Sequence, residues 1–174
     1  ARDFLRDEVD PAEIDRSGEY PQRVLDGLRQ LGAFGMKIPA KYGGLGFTNV
    51  EYNRVMTLIG SYCGNLGALL SAHQSIGVPQ PLKNFGSEEL RQHYLPRICS
   101  GESQCSYALS EADAGSDVAA MTTRAERDGD DWIISGSKAW ITNAGISDLY
   151  TVFARTSTDR YKGITAFLVE AGWG

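Results

Sequence analysis

Two short stretches bring together residue types that can do chemistry side by side: Tyr107-Ala-Leu-Ser-Glu-Ala-Asp-Ala-Gly-Ser-Asp117 and Gly136-Ser-Lys-Ala-Trp-Ile-Thr-Asn143. In Ala114-Gly115-Ser116 a glycine frees the backbone, so that N–H groups and a hydroxyl can face an anion. Trp140 offers a flat apolar face, and Thr142 puts a hydroxyl nearby. The combination suits a planar ligand that carries phosphate. Taken singly, each stretch also has a plainer reading, in which Gly115 serves a turn, Trp140 fills a β core and the hydroxyls cap backbone groups. Two other glycine clusters fail as nucleotide sites. Gly136-Ser137-Lys138 has no glycine five residues earlier, and Tyr42-Gly43-Gly44-Leu45-Gly46 does not follow a strand in dinucleotide-binding spacing, so it reads as a structural turn.

The elements that must position these stretches fall into two blocks, helices first and strands after. Pro21 to Leu31 carries Val24, Leu25, Leu28 and Leu31 at helical spacing, with Pro21 suited to a first turn and Gly32 behind the last apolar residue. Val50 to Tyr62 repeats the pattern through Val55, Leu58, Ile59 and Tyr62, and Gly64-Asn65 separates it from a second apolar segment, Leu66 to Ile76. Ser87 is the expected N-cap of a helix running to Cys99, with Glu88 and Glu89 in its first turn and Ser100-Gly101 at its end. From Gln104 the runs shorten and gain β-branched and aromatic residues. Strands are predicted at Cys105 to Leu109, Met121 to Glu126, Trp132 to Ile134, Ala139 to Thr142, Tyr150 to Ala154 and Ile164 to Val169. Asp128-Gly129 predicts a tight turn that pairs the second and third of these antiparallel. The expected class is α+β: an all-α domain over residues 1–103, then a small β-barrel or sandwich over 104–174.

Composition narrows the function classes. Over 174 residues, 42% hydrophobic and 22% charged content is that of a soluble globular protein, and the longest apolar runs fall far short of a membrane span. A net charge of −5 supplies no field to attract nucleic acid. Cys63, Cys99 and Cys105 are odd in number and lack metal-ligand spacing with His73 or His93, which predicts buried, idle thiols in a reducing compartment and no metal. The first ten residues lack the apolar core of a secretory signal, so secretion is not expected.

Together, in this order and behind a helical block, the two stretches resemble the acyl-CoA dehydrogenase family. The family pattern is Tyr or Phe, two residues, Thr or Ser, then Glu-Pro-x-x-Gly-Ser-Asp, followed later by Gly-x-Lys-x-Trp-Ile-Thr-Asn. The matching residues are Tyr107, Ser110, Glu111, Gly115, Ser116 and Asp117, then Gly136, Lys138, Trp140, Ile141, Thr142 and Asn143. Leu31-Gly-Ala-Phe-Gly35, Tyr42 to Gly46, Ala72-His-Gln-Ser-Ile-Gly77 and Tyr94-Leu-Pro-Arg97 extend the likeness over essentially the whole chain, with a lean towards long-chain members. Ala112 departs from the pattern, standing where the family has proline, and Asp113 adds a charge beside it. A looser turn or a weaker anion contact is expected there.

The resemblance implies FAD as cofactor. Tyr107, Leu109 and Ser110 would flank the flavin, Gly115 and Ser116 would meet the pyrophosphate, and Trp140, Ile141 and Thr142 would pack on the ring and reach its N5 edge. Ser116 would also lie near an acyl-CoA substrate. The implied reaction removes a proton α to the thioester carbonyl and passes the β hydrogen to the flavin as hydride, leaving a trans-2-enoyl thioester. No catalytic residue is assigned in this chain. Glu111 belongs to the flavin-loop motif, Glu170 falls on the last predicted strand, and the family's glutamate base is expected beyond Gly174, together with the rest of the β domain and the C-terminal helical bundle. The chain is accordingly expected to be a fragment of a longer polypeptide, the alternative being that a separate partner supplies the missing domain; alone it is expected to be inactive, to bind flavin weakly and to associate through exposed apolar surface. Electron-transfer flavoprotein as acceptor, a homodimer or homotetramer, and a bacterial cytoplasmic or mitochondrial matrix location are implied in the same way. The alternatives are a flavin oxidase or monooxygenase on this scaffold, or a non-catalytic subunit that binds flavin or acyl thioester.

Overall fold

The computed structural model describes residues 1–173; Gly174, the last residue of the expected β domain, lies outside the described residues. Helices fill the chain as far as Cys99, in the order α1 (Arg2–Glu8), α2 (Pro11–Ser17), α3 (Gln22–Gln30), α4 (Asn49–Tyr62), α5 (Gly64–Ser71), α6 (Pro79–Phe85) and α7 (Glu88–Cys99). Side-chain caps fix three of the starts. Asp10 accepts from the N–H groups of Ala12 and Glu13, with Pro11 in the first turn. Thr48 and Glu51 form a reciprocal capping box. Ser87 accepts from the Leu90 N–H, as its sequence position predicts. Each such cap stabilises its helix by about 1 kcal/mol. The short helices α1, α2 and α6 bury only one or two side chains each, too few to leave a periodic trace in the sequence.

The helical core gathers Leu5, Ile14, Val24, Leu28, Phe34 and Leu66. The expected face of α4 is kept through Val55, Leu58 and Ile59, which pack into or against the core, and departs only at its last member. Tyr52 and Ile59, two turns apart, are buried, whereas Tyr62 is 40% exposed where the helix ends and the chain turns away through extended Cys63. The segment expected to run as one helix from Leu66 to Ile76 changes character at Ala72 and widens into a π turn over Ala72–Ile76.

The strands are β1 (Cys105–Ala108), β2 (Arg124–Asp128), β3 (Asp131–Ser135), β4 (Leu149–Arg155) and β5 (Ile164–Glu170). They form one five-stranded sheet built on β4, which pairs antiparallel with β5 along its whole length. The other edge of β4 pairs with β1 from Leu149 to Val152 and then, three residues on, with β2 at Arg155, both in parallel. Residues 109–123 are therefore looped out of a nearly continuous edge. The predicted hairpin is present, with Asp128 opposite Asp131 and Gly129 at φ 61°. Two strand expectations are corrected. The one predicted from Met121 begins at Arg124, because the 118–120 segment coils into a 3-10 turn. Ala139 to Thr142 is not a strand, since Trp140 has a left-handed backbone at φ 56° and the Ala139 N–H goes to the Ser110 carbonyl.

Helices and sheet share a core in which Ile38, Val78, Leu95 and Ile98 meet Cys105 and Leu149. Tyr94 adds a polar tie by donating its hydroxyl to Glu170 at 2.8 Å. Burial first, and this carboxylate second, push the Tyr94 hydroxyl up to about 12. All three cysteines are buried and free, and burial raises the Cys99 thiol to about 12 and also lifts Cys105, so those two are protonated and unreactive at neutral pH. Among the described residues no helix is long and apolar enough to cross a membrane, and no group of His, Cys, Asp and Glu is placed to hold a metal ion.

Candidate functional site

The looped-out segment after β1 and the irregular stretch after β3 meet over the π turn. A cavity of about 190 Å³ lies between them, walled by Tyr107, Leu109 and Ser110 on one side and by Trp140, Ile141 and Thr142 on the other. Ala72 and Ile76 of the π turn form its floor. Six of the eight residues singled out in the sequence thus line one space, although about thirty positions separate the two walls.

Local bonds explain why these loops hold their shape. The Ser106 hydroxyl, buried in β1, donates to the Thr142 carbonyl at 2.8 Å and lies 2.7 Å from the Ser147 hydroxyl. Thr142 itself is exposed and lines the cavity. Trp140 is 80% exposed, which excludes the reading that it fills the β core. Holding a bulky residue in the left-handed region costs roughly 1–2 kcal/mol, and nothing in the fold returns that cost through burial of the indole. Asn143 follows at φ 67°, a conformation its short polar side chain tolerates, and its amide reaches the Leu69 carbonyl on α5 at 3.4 Å.

Glu111 joins the walls from behind. Its side chain is only 5% exposed and accepts from the Thr122 N–H at 2.6 Å, the Thr122 hydroxyl at 2.8 Å, the Thr123 N–H at 3.0 Å and Lys138 Nζ at 2.9 Å. Burial by itself raises the pKa of a carboxyl, but these donors outweigh it and hold Glu111 well below the usual carboxylate range. An ionised carboxylate with every oxygen engaged makes a poor proton acceptor. Glu111 is built into the scaffold of the site, and Lys138 with it. Gly136 serves the same junction. It sits at φ 151°, and a Cβ there would come within 2.6 Å of Thr123 Cα.

Gly115 and Ser116 stand apart from the cavity, exposed on the loop beyond Ala114. The turn before them is closed despite the missing proline, by the Glu111 N–H to the Ala114 carbonyl at 3.0 Å and the Ala114 N–H to the Glu111 carbonyl at 3.2 Å. The expected loosening at Ala112 is absent, because the bonding that shuts the turn needs no ring at that position. Gly115 does not have a positive φ, and a Cβ added there meets nothing within 4 Å. Neither turn geometry nor packing accounts for a glycine. The open space beside it leaves room for another group to approach the backbone closely. Asp117, at the end of the motif, pairs with Arg160 at 2.7 Å in solvent.

Three parts of this arrangement escape sequence reading. Ala72 and Ile76 fall in the apolar segment read from Leu66 to Ile76, but no periodicity announces the π turn that brings them to the cavity. Arg155 donates to the carbonyls of Met121, Ala119 and Asp159, pinning the end of the looped-out segment, and an arginine at the end of a strand carries no such signal. The pairing of Glu111 with Lys138 was invisible because the two lie in different motifs.

Residues 1–102 match the N-terminal domain of acyl-CoA dehydrogenases, and residues 106–173 match the middle domain of the same family. The probable acyl-CoA dehydrogenase FadE10 of Mycobacterium tuberculosis is 45% identical over 98% of this chain and 26% of its own length. The human very long-chain specific acyl-CoA dehydrogenase, a mitochondrial protein, is 39% identical over 98% of this chain and 27% of its own. A glutaryl-CoA dehydrogenase from Mycobacterium smegmatis, solved in complex with FADH2, superposes with a TM-score of 0.85 at 32% identity, covering 98% of this chain and 43% of that one. The chain spans about a quarter of the length of the curated relatives it matches. Two domain matches covering nearly every residue, over a helical block and an open sheet arranged as the motifs require, establish that this chain belongs to the acyl-CoA dehydrogenase family.

Proposed function

We propose that the protein containing this chain is a flavin-dependent dehydrogenase of long-chain acyl-CoA thioesters, and that this chain supplies one side of its flavin site. The observation that carries the reading is the cavity where Tyr107, Leu109 and Ser110 face Trp140, Ile141 and Thr142, with the indole held outward in a strained backbone. Strain kept at an exposed aromatic points to a task outside the fold. FAD, when bound, supplies the hydride acceptor. The chain's own residues bind and orient: Trp140 offers its face to the ring, the Thr142 hydroxyl and the Ser110 backbone offer hydrogen bonds at its edge, and Gly115 and Ser116 receive the pyrophosphate. Ser116 also neighbours the thioester. Ala72 and Ile76 form the floor on the helical side, where an acyl chain would run.

No carboxylate of this chain is assigned as the base. Glu111 is fully engaged and Glu170 is bound by Tyr94. The division between the domains is drawn at Ser103 and Gln104, where the Ser103 N–H still bonds the Arg97 carbonyl of α7 and the Gln104 N–H already bonds Asp148 ahead of β4. A homo-oligomer that passes electrons to an electron-transfer flavoprotein, in bacterial cytoplasm or mitochondrial matrix, completes the reading. The bacterial and mitochondrial relatives and the buried free thiols support the location.

The test is anaerobic titration of the full-length protein with palmitoyl-CoA. Bleaching of the visible flavin band with formation of the trans-2-enoyl thioester is expected. A protein that neither carries nor takes up FAD, or whose FAD stays oxidised through the titration, overturns the reading, and rapid peroxide formation once air is admitted assigns it to the oxidases instead.

A further inference from the structure

The two walls of the cavity are loops, and loops are where a fold is least rigid. Yet the walls are bonded directly to each other. Lys138 Nζ donates to the Leu109 carbonyl at 3.0 Å and to Glu111 Oε1 at 2.9 Å, while the next residue, Ala139, donates its N–H to the Ser110 carbonyl at 3.0 Å. Three consecutive residues of the first wall are therefore gripped by two consecutive residues of the second. Glu111 is in turn fixed to the Thr122 and Thr123 backbone, at the end of the looped-out segment where it rejoins the sheet. The ion pair is shielded, at 5% and 11% side-chain exposure, so solvent neither screens it nor replaces its bonds.

Position in the chain gives this network its meaning. Glu111 is the neighbour of Ser110, and Lys138 lies two residues before Trp140. Any slip of the pair shifts a lining residue on each wall, whereas an ion pair serving stability alone has no reason to sit between them. We propose that Glu111 and Lys138 are positioning residues that set the spacing between Ser110 and the Trp140 to Thr142 stretch, so that the flavin meets a slot of fixed width. Neither touches the ring; they act through Leu109, Ser110 and Ala139. The inference rests on the flavin reading given above.

The test uses the full-length apoprotein of wild type, Lys138→Met and Lys138→Arg, with amide hydrogen exchange at Ala139 as one readout and FAD titration as the other. Lys138→Met is expected to speed exchange at Ala139 and to weaken FAD binding by at least tenfold, with kcat of the loaded enzyme falling tenfold to a hundredfold, as misplacement by about an ångström can do. Lys138→Arg, which keeps the charge and the donors, is expected to recover part of both. If Lys138→Met does not fold, Thr122→Val replaces it. It removes one hydroxyl donor to Glu111, leaves both charges, and is expected to move both readouts the same way by a smaller factor. FAD affinity within twofold of wild type despite faster exchange overturns the proposal, as does unchanged exchange. Failure of the wild-type apoprotein to bind FAD at all refutes the functional reading, and is told apart by being read on the wild type alone.

Discussion

Two glycine-bearing segments, Tyr42 to Gly46 and Ala114 to Ser116, are opposite in structure. In the first, every oddity is explained from within. Gly43 and Gly46 have φ of 92° and 65°, a Cβ at Gly44 would lie 2.1 Å from the Ile38 carbonyl oxygen, and the N–H groups of Leu45 and Gly46 go to the carbonyls of Gly35 and Ile38. In the second, Gly115 has no positive φ and has open space where a side chain would be. The difference separates residues the fold requires from residues it merely tolerates. Trp140, strained and exposed, falls with Gly115 on the tolerated side, and the proposed flavin site rests on that grouping.

The largest effect expected is at Gly44. Its replacement by alanine forces a backbone carbonyl to move inside a turn braced by three hydrogen bonds, from Leu45, Gly46 and Phe47. The cost should be about 4 kcal/mol, at the upper end for single substitutions. Denaturant unfolding of Gly44→Ala measures it, and a loss below about 1 kcal/mol breaks the claim that the fold demands this glycine.

His73 tests the comparison from the other direction, because it is a polar residue in the helical core that the fold does not satisfy. It is fully buried on the π turn, edge-on to Phe34 at 5.2 Å, and neither ring nitrogen has a hydrogen-bond partner among the described residues. Burial lowers its pKa from 6.5 to about 4, and the nearby backbone of Ile98 and Phe34 opposes the shift only in part. The unfolded chain therefore takes up a proton first as pH falls. The stability associated with neutral His73 is complete above pH 6.5, declines from there towards pH 4, and levels off below it. A shift from 6.5 to about 4 corresponds to about 3 kcal/mol. His73→Leu should flatten the stability profile across that window by about this amount relative to wild type. Parallel profiles for the two proteins would mean that His73 gains a partner in solution.

The sequence made the capped and paired elements legible for reasons of local chemistry. Ser87 ahead of Glu88 and Glu89 is a cap wherever the chain goes next, and Asp128-Gly129 bends a hairpin with little help from elsewhere. It misled at Ala139 to Thr142, where an aromatic and β-branched run reads as a strand but lines a cavity instead. Composition reports that a segment is apolar on one side, not whether that side meets a sheet or a ligand. The seven-residue helices were missed because one buried leucine or isoleucine carries no period. The π turn and the Glu111–Lys138 pair were missed because both depend on contacts made only after folding. Six of the residues that line the cavity were legible and its architecture was not, since residue types travel with the sequence and mutual distances do not.

The smallest effect on stability is expected at Gly115, and there the comparison is sharpest. Gly115 has no positive φ and an added methyl meets no atom within 4 Å, so Gly115→Ala should change stability by no more than about 0.5 kcal/mol. Loss of backbone freedom in the unfolded chain tends to move that small change towards stabilisation. If the glycine is kept for a phosphate, the methyl occupies the space the ligand needs. FAD affinity of the full-length apoprotein should then fall by about tenfold, or about 1.4 kcal/mol. The two measurements must diverge for the argument to stand. A protein that loses stability with Gly115→Ala has an internal need for the glycine that its neighbours do not reveal. One that keeps both stability and FAD affinity holds its phosphate elsewhere on the loop, and the contrast between the two glycine segments then ceases to mark a binding site.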